Sequence, residues 1–411
     1  MILKSAMLVS FLLPTTVAFA QQRDSLDIKI GQMILIGVPG TTVDEQVLNE
    51  IKQGKAGAII FFEKNIPKSN SYEELKKIAW TYQHAAPIPL FVAIDQEGGR
   101  VNRLKEKYGF PRSVSAANIG KSRSLDSARF YGETTAATLA GLGINVNFAP
   151  VVDLASNPNN PIIARVERAF SANPDTVAML AREFIIPHQR MGVVTVLKHF
   201  PGHGSSKDDT HLGIADVTHT WTDEELGPYE QLIQGGYAPA IMTAHIVNKK
   251  LDKRAYPGTL SSSVIDSLLR KKMGFDGVIF SDDMQMHAIT KHYGLEQAIV
   301  MAVNAGVDIL CFSNNIQGSE ERTVDKVHQI IKANVAKGVI PRHRIEESFR
   351  RIVVLKSQLL SGGGISQTFS ADEQKRLQVL QKQNEWLRLE NDSLKKQLES
   401  QPKGKKKSKK N

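Results

Sequence analysis

Eight short apolar runs punctuate the chain between Asp24 and Ser361, at residues 33–38, 56–62, 89–94, 146–151, 193–197, 238–243, 277–280 and 307–312. Each is rich in Val, Ile and Phe and lacks the polar alternation of a strand with one face in water. Such runs read as parallel strands covered on both faces. Between them lie stretches with helical periodicity, at residues 72–85, 124–142, 175–191, 222–234, 261–272 and 294–305. Ser261 and the box opening at Thr222 are expected helix starts. Gly192, Gly235–Gly236, Gly274 and Gly306 fall where helices should end. Strand and helix alternating eight times predict an α/β fold, a closed (β/α)₈ barrel, with a doubly wound open sheet as the alternative.

The flanks have a different character. Residues 1–20 carry Lys4, an apolar stretch and the small-x-small site Ala18-Phe19-Ala20. This is the pattern of a secretory signal cleaved after Ala20, so an exported (periplasmic or extracellular) protein is expected. A membrane anchor is the alternative, against which the apolar run is short and no stop-transfer pattern follows. The barrel is assigned residues 21–361 and a Gly-rich linker residues 362–370. Over residues 371–400, Leu377, Leu380, Asn384, Leu387, Asn391, Leu394 and Leu398 recur at spacings of three and four. That is a heptad seam with Asn at two a positions, which predicts a coiled-coil homodimer, or else a lone amphipathic helix on the barrel. Six lysines in residues 401–411 supply much of the formal net charge of +10. They suit a solvated tail touching anionic surfaces, and specific nucleic-acid recognition is not expected. Cys311 is the sole cysteine, in an apolar run; it excludes an intramolecular disulfide and reads as a core residue.

Reactive side chains of a barrel gather at the C-terminal ends of its strands. Those positions hold Asp95, Asp153, Lys198-His199, His245, Asp282-Asp283 and Ser313-Asn314. The segment from Lys198 to His211 contains Pro201, Gly202 and Gly204, so a long loop is expected there. Asp209 and His211 are two apart, close enough for the carboxylate to hold one imidazole nitrogen while the other moves a proton. A zinc site from His199, His203 and His211 is the rival reading, but the usual ligand spacings are missing. Asp282, directly off its strand, can serve as a carboxylate nucleophile at an anomeric carbon; Asp283 can be a helix cap.

Five motifs occur in order: Ile94-Asp95-Gln96-Glu97-Gly98-Gly99-Arg100-Val101, Asn147 to Asp153, Glu167-Arg168-Ala169-Phe170, the Lys198–His211 loop and Phe280-Ser281-Asp282-Asp283-Met284. Together they resemble the β-N-acetylglucosaminidases of glycoside hydrolase family 3, over about residues 24 to 355. The resemblance implies a (β/α)₈ barrel and a retaining double displacement without metal or cofactor. It makes Asp282 the nucleophile and His211, oriented by Asp209, the general acid/base. Asp95, Arg103, Arg168, Lys198 and His199 become contacts to the sugar, charged groups that bond strongly to a polyol. The implied activity is exo-cleavage of β-linked N-acetylglucosamine from peptidoglycan fragments or chitin-type oligosaccharides. A β-glucosidase, a phosphorolytic variant and an inactive wall-binding scaffold are the alternatives. Ala169 stands where the family pattern has Ser, and the heptad segment and lysine tail lie outside that pattern.

Overall fold

The structure is a computed structural model and describes residues 25–210, 213–315 and 324–361. The leader, the linker, the heptad segment, the lysine tail and His211 all lie outside the described residues.

All eight apolar runs form strands: β1 (Ile34–Gly37), β2 (Ala58–Phe61), β3 (Phe91–Ile94), β4 (Val146–Asn147), β5 (Val194–Phe200), β6 (Ala240–Thr243), β7 (Val278–Asp283) and β8 (Ile309–Phe312). Each pairs in parallel with its sequence neighbours, and β8 returns to β1 through Leu35 opposite Cys311, closing the barrel. Closure rules out the open sheet. Nearly every strand residue is buried, which is why the runs show no alternation.

Three boundaries differ from expectation. β4 ends at Asn147, short of Pro150, which has no N–H for a ladder; beyond it the Val196 N–H of β5 still donates to Ala149 O at 3.2 Å, and Val151 lies opposite Lys198. β5 runs through Lys198 and His199 to Phe200, so the expected loop begins later. β7 includes Asp282 and Asp283 as its last residues rather than leaving them beyond it.

The helices follow the periodic stretches closely, including Ser71–Ala85, Leu125–Leu142, Pro174–Arg190 and Leu295–Ala305. Ser261 Oγ accepts from Val264 N at 3.1 Å, as a cap should. Thr222 makes no such bond; a 3₁₀ turn at Asp223–Leu226 precedes Gly227–Gln234, where Pro228 sets the start of the helix. Gly192, Gly236, Gly274 and Gly306 take positive φ at the expected helix ends.

The barrel interior is stacked in layers. Lys356 Nζ enters from below, bonding Gln32 Oε1 at 2.7 Å and Gly57 O at 2.8 Å, and lies 4.7 Å from the centre of the Phe91 ring. Phe91 meets Phe280 across the barrel, and Phe280 meets Phe148 edge-on at 5.4 Å. The layer above is the floor of a cavity.

At the same lower end Asp308 ties the closing strand to its surroundings. It accepts from Arg344 Nη2 at 2.6 Å, Arg270 Nη2 at 2.7 Å, Ser348 Oγ at 2.8 Å and the Ile279 N–H at 3.0 Å. Removing one member of a buried ionic cluster leaves its partners uncompensated. Asp308→Ala should therefore lose about 3–5 kcal/mol of stability. Urea unfolding reads this; a midpoint equal to that of the parent would refute the latch.

Candidate active site

A cavity of about 360 Å³ opens at the C-terminal ends of the strands, floored by Ile60, Phe148, Met242 and Cys311. Asp95, Arg103, Arg168, Lys198, His199 and Asp282 all line it, joined by Glu97, His203 and Asp283.

The turn after β3 brings the first pair together. Gly98 and Gly99 have φ of 94° and 60°, and a Cβ on either would meet Val114 O at 2.3 Å or Ser115 Cβ at 2.7 Å. The turn they permit folds Glu97 N–H onto Val101 O, and Gln96 Oε1 accepts the Arg103 and Leu104 N–H groups. Arg103 is thereby returned to Asp95, Nη2 to Oδ2 at 3.3 Å.

Lys198, at the end of β5, donates to Asp95 Oδ1 at 2.6 Å and lies 2.7 Å from Glu97 Oε1. Arg168 grips Glu97 through two bonds of 2.8 Å, donates to Ile162 O at 2.9 Å and approaches His199 Nε2 at 3.2 Å. The other imidazole nitrogen, Nδ1, is 2.7 Å from Asp153 Oδ2. With an arginine donor at Nε2, the proton on His199 is assigned to Nδ1 and points at Asp153. Burial pushes the Asp95, Glu97 and Asp153 carboxyls up. The facing cations outweigh it for Asp95 and Glu97, and His199 does so for Asp153, so all three lie below their ordinary values.

The two aspartates of β7 have different tasks. Asp283 accepts from Ser313 Oγ, the Ser313 N–H and the Gln285 N–H, binding β7 to β8. Burial without a cation pushes its carboxyl up to about 6. Asp282 is half-buried at the cavity, and its Oδ1 accepts the Asp283 N–H at 2.8 Å. Asp209 is half-buried beside Thr210, which lines the cavity. Among the described residues no three His, Cys, Asp or Glu side chains are grouped to hold a metal ion, and His211, which the zinc reading needs, lies outside them.

A model of the N-terminal domain of glycosyl hydrolase family 3 matches residues 25–355. The chain belongs to this family. It is 33% identical to a beta-hexosaminidase of Tolumonas auensis over 70% of this chain and 84% of that one. A beta-hexosaminidase of Thioalkalivibrio sulfidiphilus is 34% identical over 69% and 80%. The solved family 3 beta-N-acetylglucosaminidase of Paenibacillus sp. superposes with a TM-score of 0.77 at 31% identity, covering 87% of this chain and 68% of that one. Ala169, the departure from the family pattern, packs in a small apolar cluster with Val151 and Ile163.

Asp153 and Glu97 were visible in the family 3 motifs, but the sequence gives no sign of their partners. In the sequence Glu225 reads only as the acidic end of the capping box that opens at Thr222. It is buried under the loop after β5, where a Cβ on Gly202 would meet its Oε2 at 2.8 Å, and it accepts from Ser156 Oγ at 3.0 Å. Burial, reinforced by Asp153, pushes its carboxyl up to about 7. It therefore stays protonated in the fold while the unfolded chain ionises it near its ordinary value of 4.5. The unfolded state binds fewer protons between those values, so this residue makes stability fall as pH rises from 4.5 to 7. Glu225→Gln should remove that loss. Its melting temperature should match the parent near pH 4.5 and exceed it by roughly a few degrees at pH 8. A difference independent of pH would sink the assignment.

Proposed function

We propose that this family 3 glycoside hydrolase is a retaining exo-β-N-acetylglucosaminidase, working through a glycosyl intermediate on Asp282. The observation that carries the reading is the meeting of an Asp carboxylate with a cluster of ion-paired polar groups in one blind cavity. Its volume is at the lower end of the roughly 300–1,000 Å³ of small-molecule pockets, and the apolar floor closes it below, which suits one terminal sugar. Similarity to enzymes called beta-hexosaminidase supports the choice of sugar.

In the proposed mechanism Asp95, Lys198, Arg168 and Arg103 hold the sugar hydroxyls, and His199 joins them by exchanging the Arg168 contact at Nε2 for a hydroxyl while Nδ1 stays on Asp153. Lys198 has three protons and two carboxylate partners, and Asp95 has lone pairs beyond its two cations, so each keeps capacity for a hydroxyl. Asp282 attacks the anomeric carbon as the glycosidic bond breaks, and His211, oriented by Asp209, gives a proton to the departing oxygen. Water then attacks the glycosyl ester, losing its proton to His211, and the Asp282 carboxylate is released. Asp283 is committed to Ser313 and Gln285, which favours Asp282 as the nucleophile.

Kinetics on 4-nitrophenyl β-N-acetylglucosaminide and on a disaccharide, with and without phosphate, test this. Asp282→Asn should abolish turnover yet still bind the sugar; near-normal activity would move the nucleophile elsewhere. His211→Ala should slow the disaccharide about 10²–10⁴-fold. It should spare glycosylation by the nitrophenyl substrate, whose leaving group needs no proton, and show a burst. Equal losses on both substrates without a burst would remove His211 from the chemistry.

The flanking segments belong to the same proposal: residues 1–20 are cleaved on export, 371–400 pair two copies, and 401–411 contact anionic surfaces. Sequencing should find the exported protein beginning after Ala20. Light scattering should give a dimer that becomes an active monomer without residues 365–411. A monomeric intact chain would refute the pairing.

A further inference from the structure

His203 is 1% exposed, and its ring lines the catalytic cavity with no hydrogen bond to either nitrogen among the described residues. The other buried histidines are all satisfied. His188 bonds Phe184 O and Asn147, His245 bonds Thr259 and the Asp283 carbonyl, and His199 bonds Asp153 and Arg168.

The ring has little freedom to find a partner elsewhere. Its backbone N–H donates to Asp153 Oδ1 at 2.7 Å, and its carbonyl accepts from Asn160 Nδ2 at 2.8 Å. Its ring stands nearly perpendicular to that of His199, with the ring centres 6.1 Å apart. A buried donor or acceptor left unpaired costs more than an ordinary hydrogen bond returns, so such a group calls for an explanation. Burial pushes its pKa down to about 4, against the pull of Asp153, so the ring is neutral above that and carries one donor and one acceptor. A hydroxyl can answer either.

We propose that His203 is a further sugar-binding residue, bonding a hydroxyl of the terminal sugar from the wall shared with Asp282. This rests on the reading that the cavity receives a terminal sugar. As a neutral group His203 adds direction without charge, complementing the ionic contacts of Asp95, Lys198 and Arg168.

The test compares the full chain with His203→Leu and His203→Gln on 4-nitrophenyl β-N-acetylglucosaminide and its 3-, 4- and 6-deoxy analogues. The intact enzyme should lose about tenfold in kcat/KM on one analogue, the one lacking the hydroxyl that His203 bonds. His203→Leu should lose a similar factor on the parent substrate and almost nothing further on that analogue, whereas His203→Gln should recover part of the loss. Losses that multiply equally across every analogue would overturn the proposal and leave His203 a structural residue, as would a His203→Leu enzyme equal to the parent. If the leucine variant does not fold, the same comparison with His203→Gln decides: an undiminished parent-to-analogue ratio for every hydroxyl refutes the contact. Failure of the intact enzyme to cleave any of these compounds would instead refute the glucosaminidase reading.

Discussion

Lys198 carries its ammonium group into a site only 2% exposed and sets it between Asp95 and Glu97. Burying one such charge alone is prohibitive, and a single partner seldom repays the loss of water. Here the arrangement continues: Arg103 on Asp95, Arg168 on Glu97, His199 against Arg168 and Asp153 behind His199. Alternating sign along this chain lets charges from β5 and the loops after β3 and β4 sit side by side. These bonds build the polar wall of the cavity above its floor of Ile60, Phe148, Met242 and Cys311.

That network constrains the backbone around it. The loop after β4 must stand close to the loop after β5, and Asn160 joins them by donating to the carbonyls of His203 and Gly204 while accepting from the Ile162 and Ile163 N–H groups. Glu167, at φ 61°, turns the chain so that Arg168 faces Glu97. A non-glycine residue in the left-handed region is held there by its surroundings; here the Glu167 N–H donates to Ala164 O, its carbonyl accepts the Ala117 N–H, and the Arg168–Glu97 pair follows it. The site is therefore preorganised by the bonds that would otherwise count only as stability.

The barrel was legible because its strands are buried on both faces, and burial on both faces writes itself as an uninterrupted apolar run. The site was legible where chemistry coincides with a strand end, as for Asp95, Lys198, His199 and Asp282. Arg103 and Arg168 came from the family resemblance, since a turn and a loop bring them in and periodicity does not see either. What could not be read depends on contacts across the fold. Glu225 looks like any acid in the first turn of a helix until the loop at Gly202 is placed over it. Thr222 looks like a cap, yet a 3₁₀ turn and Pro228 start that helix instead. His203 sits in the motif that runs from Lys198 to His211, but only the three-dimensional site reveals that its ring has no hydrogen-bond partner among the described residues.

The two buried lysines show how partners rather than depth assign roles. Lys356 lies under the barrel with two neutral oxygens and an aromatic ring, and burial pushes it well below the ordinary lysine value. Lys198 is almost as deep but lies between two carboxylates. The carboxyls divide in the same way. Asp95, Glu97 and Asp153 face cations or an imidazole and sit low, while Asp283 and Glu225 face hydroxyls and amides and are pushed up to about 6 and about 7. Environments that drive like groups apart are how one cavity supports several protonation states at a single pH. The groups with cationic partners are suited to gripping a polyol, because they remain charged as pH falls. Those without them tie β7 to β8 or underlie the loop after β5, and rising pH puts new negative charge beneath Asp153 and beside Asp282.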